Sequence, residues 1–217
     1  MRSIKNSIIT VLSVLLFFGC SNEEQKEVAS SIDIDNIHSE QEIEQELLTL
    51  TTEIFKSLKD ANYERLGEMV DSEYGITFAF YPDFGNPDGY GGQYITLSQK
   101  ELSKNNPKEY VWGYDESSAE YKMTVHDYIQ KMLLKRWGKE DVDYKIITFN
   151  KQTENYAGVK NTIHEYYPDA KYVEYYSPGE EYKEGETHPS FQSLRFIYQE
   201  KNNKWYLIGI ARNVATT

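Results

Sequence analysis

Two periods organise the polar and apolar positions of this chain from residue 39 onward, and each predicts its own kind of element. Ile43, Leu47, Leu50, Ile54 and Leu58 recur at spacings of four, three, four and four, which is one face of a helix. Ser39-Glu40-Gln41-Glu42 ahead of them has the S-x-x-E form of a capping box, so the helix is expected to start at Ser39. Asn62 is suited to cap a second, shorter helix carrying Tyr63, Leu66, Met69 and Val70, which Gly75 ends. Thr124 and Asp127 bracket a third start, with Val125, Ile129 and Leu133 on one face and Gly138 as the stop.

The other period is short and strand-like. ITFAFY (76–81), YITLS (94–98), KIITFN (145–150), KYVEYYS (171–177), FQSLRFIYQE (191–200) and KWYLIGIARN (204–213) are rich in aromatic and β-branched residues. Asn202-Asn203 between the last two fits a two-residue hairpin turn, because Asn tolerates positive φ. Residues 81–92, dense in Gly, Pro, Asn and Asp, read as loop. Helices first and hairpin-linked strands last predict an α+β domain, with N-terminal helices packed on a mostly antiparallel sheet. No internal repeat or Pro/Gly/Ser-rich break divides residues 39–217, which form one expected domain.

Counting back from the Asn202-Asn203 turn gives a register for the last hairpin. Tyr198 would face Leu207, Phe196 would face Gly209 and Leu194 would face Ala211, all on an apolar face. The opposite face would pair Ile197 with Ile208, Arg195 with Ile210 and Ser193 with Arg212. Arg195 and Arg212 then become diagonal neighbours on one face, and they are the candidate ligand-binding residues for a carboxylate or phosphate.

The first twenty residues follow neither period. Arg2 and Lys5 precede an apolar run from Ile8 to Phe18, about half the ~20 residues that a membrane-crossing helix needs. A basic start, a short apolar stretch and a small residue at its end make a secretory signal peptide. Phe17-Phe18-Gly19-Cys20 resembles the lipobox of bacterial lipoproteins, in which a small residue precedes the lipidated cysteine. That resemblance implies a signal peptide over 1–19 and a diacylglyceryl anchor on Cys20. It implies a lipid-anchored domain on the extracytoplasmic face of the cell membrane. Residues 21–38 are polar and aperiodic, so 20–38 reads as the lipidated cysteine and a flexible tether. Cys20 is the chain's single cysteine, so it has no disulfide partner within the chain.

The formal charge is −12, and without Arg2 and Lys5 it becomes −14. Such a surface repels nucleic-acid phosphates and anionic lipid heads, which excludes nucleic acid as a partner. What remains is a small molecule, a glycan or an envelope protein. Tyrosines concentrate in EYYPDAKYVEYYSPGEEY (165–182), and exposed rings of that kind can stack on sugars.

Chemistry is sparse. Glu174 is a conceivable buried base, but no spacing pairs it with a proton donor. His38, His126, His164 and His188 lack metal-ligand spacing, and Asp83, Asn86 and Asp88 do not follow the offsets of a calcium loop. No nucleotide-binding glycine loop or nucleophile elbow occurs. No catalytic residue, metal or cofactor is expected.

LKDANYERLGEMVDSEYGITF (58–78) and SLRFIYQEKNNKWYLIGI (193–210) resemble the two ends of nuclear-transport-factor-2-like domains. Together with WGYD (112–115) and YVEY (172–175) they also resemble a group of uncharacterised bacterial exported proteins. The resemblance implies helices packed on a curved sheet that closes into a cone with a pocket. Fold alone does not choose a function. The expectation is a non-catalytic binding or accessory module of the cell envelope. The alternatives are a small-molecule enzyme of isomerase or cyclase type, and the solute-capturing lipoprotein of a transporter.

Overall fold

The computed structural model describes residues 34–85 (side chains from Glu40), 94–114, 118–136, 140–153, 159–178 and 191–214. Helix α1 spans Ile34–Lys59. It starts five residues before Ser39, so the S-x-x-E segment lies inside the helix and not at its cap. A helix once begun gains a hydrogen bond for every residue added, and that gain carries it back past a local stop signal. The apolar stripe behaves as its spacing predicts: Leu47, Ile54 and Leu58 are fully buried. Thr51, on the same side, meets the Tyr198 hydroxyl at 2.7 Å and fastens the helix to the sheet.

Helix α2 spans Tyr63–Glu68, and the Asn62 side chain accepts the Arg65 N–H at 3.1 Å as the expected cap. Gly75 turns the chain at φ +71° into strand β1, Ile76–Ala79. Strand β2, Tyr94–Leu97, follows. A hairpin of β3 (Glu109–Tyr114) and β4 (Glu120–Thr124), not expected from the sequence, comes next. Thr124 then caps α3, Val125–Tyr128, accepting the Asp127 N–H at 3.2 Å. The helix continues as one π-helical turn, Ile129–Leu133, and stops there. Its expected stop, Gly138, lies outside the described residues. The short strands β5 (Lys135–Arg136) and β6 (Glu140–Asp141) pair with each other. Strand β7 (Ile146–Phe149), the single-turn helix α4 (Ile163–Tyr166), and strands β8 (Lys171–Ser177), β9 (Gln192–Lys201) and β10 (Lys204–Val214) complete the domain.

Six strands form one sheet in the order β2-β1-β10-β9-β8-β7. The β1–β10 pair is parallel and the other four pairs are antiparallel. This is the α+β architecture expected. One face packs Phe78, Phe196, Tyr198 and Ile210 into the cluster that takes Leu47, Ile54 and Leu58 from α1. On the other face, Phe84, Ile163 and Tyr172 pack with Ala79, Ile197 and Ala211. Among the described residues no helix is long and apolar enough to cross a membrane.

The last hairpin corrects the predicted register. Asn202 and Asn203 both take positive φ, and Tyr198 lies opposite Leu207 as counted. Ile208 is then an extra residue, a β-bulge, and Ile197 pairs with Gly209. A shift of one residue sends every later side chain to the other face. Arg195 therefore lies opposite Ala211, and Arg212 opposite Leu194. The two arginines are on opposite faces of the sheet and are not diagonal neighbours. Nothing in the residue types at 207–209 marks the bulge except Gly209, where an added Cβ would stand 3.2 Å from the Thr77 carbonyl oxygen of β1.

Candidate functional site

Polar side chains gather where β9 begins and β10 ends. Gln192 lies opposite Val214, Ser193 opposite Asn213, Leu194 opposite Arg212 and Arg195 opposite Ala211. Gln192, Ser193, Arg195, Arg212 and Asn213 are all 0–1% exposed. Alternation divides them into two layers. Ser193, Arg195 and Asn213 share a face with Glu174, while Gln192 and Arg212 are on the α1 side.

The first layer centres on an ion pair. Glu174 on β8 is the direct register partner of Arg195, and Arg195 Nη2 lies 2.7 Å from Glu174 Oε1. Both side chains are buried to within 1% of complete. The second carboxylate oxygen accepts the Thr153 N–H at 2.6 Å, while Oε1 is held in the ion pair without an aligned hydrogen bond. Around this pair Arg195 Nε and Nη1, Ser193 Oγ, Thr153 Oγ1 and both amide atoms of Asn213 have no hydrogen-bond partner. A buried polar atom left in that state costs about 1–3 kcal/mol. Several together would rival the ~5–15 kcal/mol by which a domain is stable. Buried polar atoms are ordinarily met by protein groups, ordered water or a bound group.

On the α1 side, Arg212 sits with its guanidinium 4.9 Å above the Phe80 ring. Burial pulls its pKa below the usual arginine range, opposed by the nearby phenols of Tyr128, Tyr144, Tyr81 and Tyr121. Gln192 Nε2 donates to the Tyr144 hydroxyl at 3.0 Å and to the Leu133 carbonyl at 3.1 Å. Tyr128 stacks on Trp112, centroids 3.9 Å apart and planes 3° from parallel, and its hydroxyl is buried without a partner. Burial drives the pKa of Tyr128 and of Tyr144 far upward, so both remain neutral donors at any ordinary pH.

Glu174 was legible in the sequence only as an isolated acid. Its pairing with Arg195 could not be read from the sequence, because both faces of β8 are buried and only the strand order sets β8 beside β9.

The remaining candidates scatter. His126 Nδ1 meets the Tyr63 hydroxyl at 2.9 Å, and His164 packs edge-on against Tyr172. The side chains of His38 and His188, as well as Cys20, Asn86 and Asp88, lie outside the described residues. Asp83 is buried, and no group of three metal-ligating side chains occurs among the described residues. Within the tyrosine run Tyr172, Tyr175 and Tyr176 are core, buried because β8 is covered on both faces. Tyr166 is 42% exposed and shares a 3.2 Å hydroxyl contact with Tyr94. A groove of about 540 Å³ runs between α2 and the 99–104 segment, lined by Tyr63, Glu64, Glu68, Gln99 and Lys104. None of the polar-layer residues lines it.

In comparison with known proteins, no family model matches this chain and no curated protein matches it.

Proposed function

We propose that the chain is a membrane-anchored extracytoplasmic lipoprotein whose α+β domain is a non-catalytic binding or accessory module of the cell envelope. Its ligand-binding residues are those at the polar end of the β9–β10 pair, Arg195 and Arg212 among them, each serving its own face. The observation that carries the non-catalytic reading is Glu174. An isomerase-type base needs an accessible lone pair aimed at substrate, whereas Glu174 is fully buried, with Oε1 in an ion pair with Arg195 and Oε2 accepting from Thr153. Large side chains such as Phe78, Phe196 and Tyr198 also fill the space between α1 and the sheet, where a cone enzyme would hold substrate. We read the helices and sheet as a filled cone of the nuclear-transport-factor-2-like kind. The lipoprotein reading rests on Phe17-Phe18-Gly19-Cys20.

Expression in a bacterial host with labelled palmitate tests the anchor. The full chain incorporates label and stays with the membrane, and Cys20→Ser does neither; a labelled Cys20→Ser protein overturns it. Saturable turnover of a small molecule by the full chain, lost on Glu174→Gln in a protein that still folds, would establish the enzyme reading instead.

A further inference from the structure

We propose that the layer formed by Ser193, Arg195, Asn213 and Thr153 is a binding site for a small monocarboxylate. The inference deepens the binding-module reading above and rests on it. Three observations fix the ligand class.

The first is the balance of donors and acceptors. The atoms without a hydrogen-bond partner comprise all three guanidinium nitrogens of Arg195, Glu174 Oε1, the Asn213 amide, and two hydroxyls, Ser193 and Thr153. Arginine is donor only, and the hydroxyls rotate to donate. The atoms restricted to accepting are the Asn213 oxygen and Glu174 Oε1, and the second faces Arg195 Nη2 at 2.7 Å. A group that fills this layer must therefore bring more acceptors than donors, as a carboxylate does.

The second is charge. Glu174 neutralises Arg195 at 2.7 Å, so this charged pair sums to zero. A phosphate dianion would meet the Glu174 carboxylate without a second cation from this pair to offset it. A single negative charge hydrogen-bonded to Arg195 is the tolerable load, and the guanidinium's planar fork suits a planar anion.

The third is shape. In the row of Arg195, the neighbouring side chains on β10 and β1 are the methyl groups of Ala211 and Ala79. In the adjoining row stand Ser193 and Asn213. Small residues therefore flank Arg195 on the β10 and β1 side, while Tyr172 and Tyr176 flank the row on the β8 side. Arg212, on the other face, takes no part.

The full chain in detergent is heated with sodium acetate, sodium phosphate, acetamide or sodium chloride at matched ionic strength. Acetate is expected to raise the melting temperature saturably, and acetamide and chloride are not. Ser193→Ala and Asn213→Ala each weaken the apparent acetate affinity by roughly tenfold, the loss of one charge-assisted hydrogen bond. Equal responses to acetate and chloride overturn the proposal, as does a larger shift with phosphate. Wild-type behaviour decides the matter even where a variant fails to fold. A chain that ignores carboxylates yet retains its palmitate anchor and a saturable envelope ligand sinks only this assignment. Loss of both anchor and ligand sinks the reading beneath it.

Discussion

Leu194 lies opposite Arg212 in the β9–β10 ladder, and the Ile208 bulge is what puts it there. Without the bulge Leu194 would face Ala211, and Arg212 would join Arg195 on the other side of the sheet. Deleting Ile208 removes the extra residue itself, so Gly209 stays opposite Ile197 and Arg212 stays opposite Leu194, and what is lost is a buried isoleucine side chain. Removing a buried side chain of that size costs about 2–5 kcal/mol. Urea denaturation of the deletion variant should find a folded protein destabilised on that scale. A deletion variant with no folded protein would show that the bulge does more than set which face residues 209–214 present.

The Glu174–Arg195 pair gives a second expectation. Glu174→Gln leaves Arg195 buried beside a neutral amide, and breaking a buried pair in this way costs about 3–5 kcal/mol. Replacing both partners together, as Glu174→Met with Arg195→Met, removes the uncompensated charge and should recover most of the loss. Chemical denaturation of the two single variants and the double variant closes the cycle. Additive losses would mean that the two side chains do not act as a pair.

Asp71 supplies a pH dependence. Burial pushes its pKa up, but the N–H groups of Tyr74 and Glu73, joined by Lys201, outweigh that and hold it below the ordinary carboxylate range. The contacts are 2.8 Å, 2.7 Å and 3.1 Å respectively. A carboxyl depressed on folding adds stability that is fully present above its unfolded pKa and disappears as pH falls through its folded pKa. Wild type should therefore exceed Asp71→Asn by about 1–3 kcal/mol at neutral pH. The gap should shrink only in acid, below the ordinary carboxylate range. Urea melts of both proteins across that interval measure it, and a gap independent of pH would remove Asp71 as the cause.

How far the sequence foretold this molecule differs by element. The α1 stripe, the Asn62 and Thr124 caps and the Asn202-Asn203 turn were legible, because periodicity and local hydrogen bonding determine them. The β3–β4 hairpin was not, since EYVWGY and EYKMT alternate weakly and are only half-buried. The arginines were recognised as unusual residues in apolar strands, yet their faces were reversed relative to each other. A bulge depends on how β10 meets both β9 and β1, which is a tertiary matter. Glu174 and Arg195 needed the strand order before either could be seen as the other's partner.

Two glycines make the closing comparison, since the same substitution should act in opposite directions. Gly67 lies within α2, and a Cβ built there meets nothing within 4 Å. Gly67→Ala should stabilise the domain by about 0.5–1 kcal/mol through the lower entropy of the unfolded chain and better helix propensity. Gly75 stands at φ +71°, where a Cβ would lie 2.3 Å from the Leu97 carbonyl oxygen and 3.0 Å from its carbon. Those atoms are backbone of β2, so relief requires moving the strand that pairs with β1. Left-handed strain alone is about 1–2 kcal/mol, and the clash adds to it. Gly75→Ala should therefore lose more than about 2 kcal/mol. In a domain of this size, each kcal/mol moves the melting temperature by roughly 2–4 °C. Thermal denaturation should show a rise of a few degrees for Gly67→Ala and a fall of at least twice that for Gly75→Ala. Changes of the same sign would mean that backbone conformation at Gly75 is not what joins α2 to the sheet.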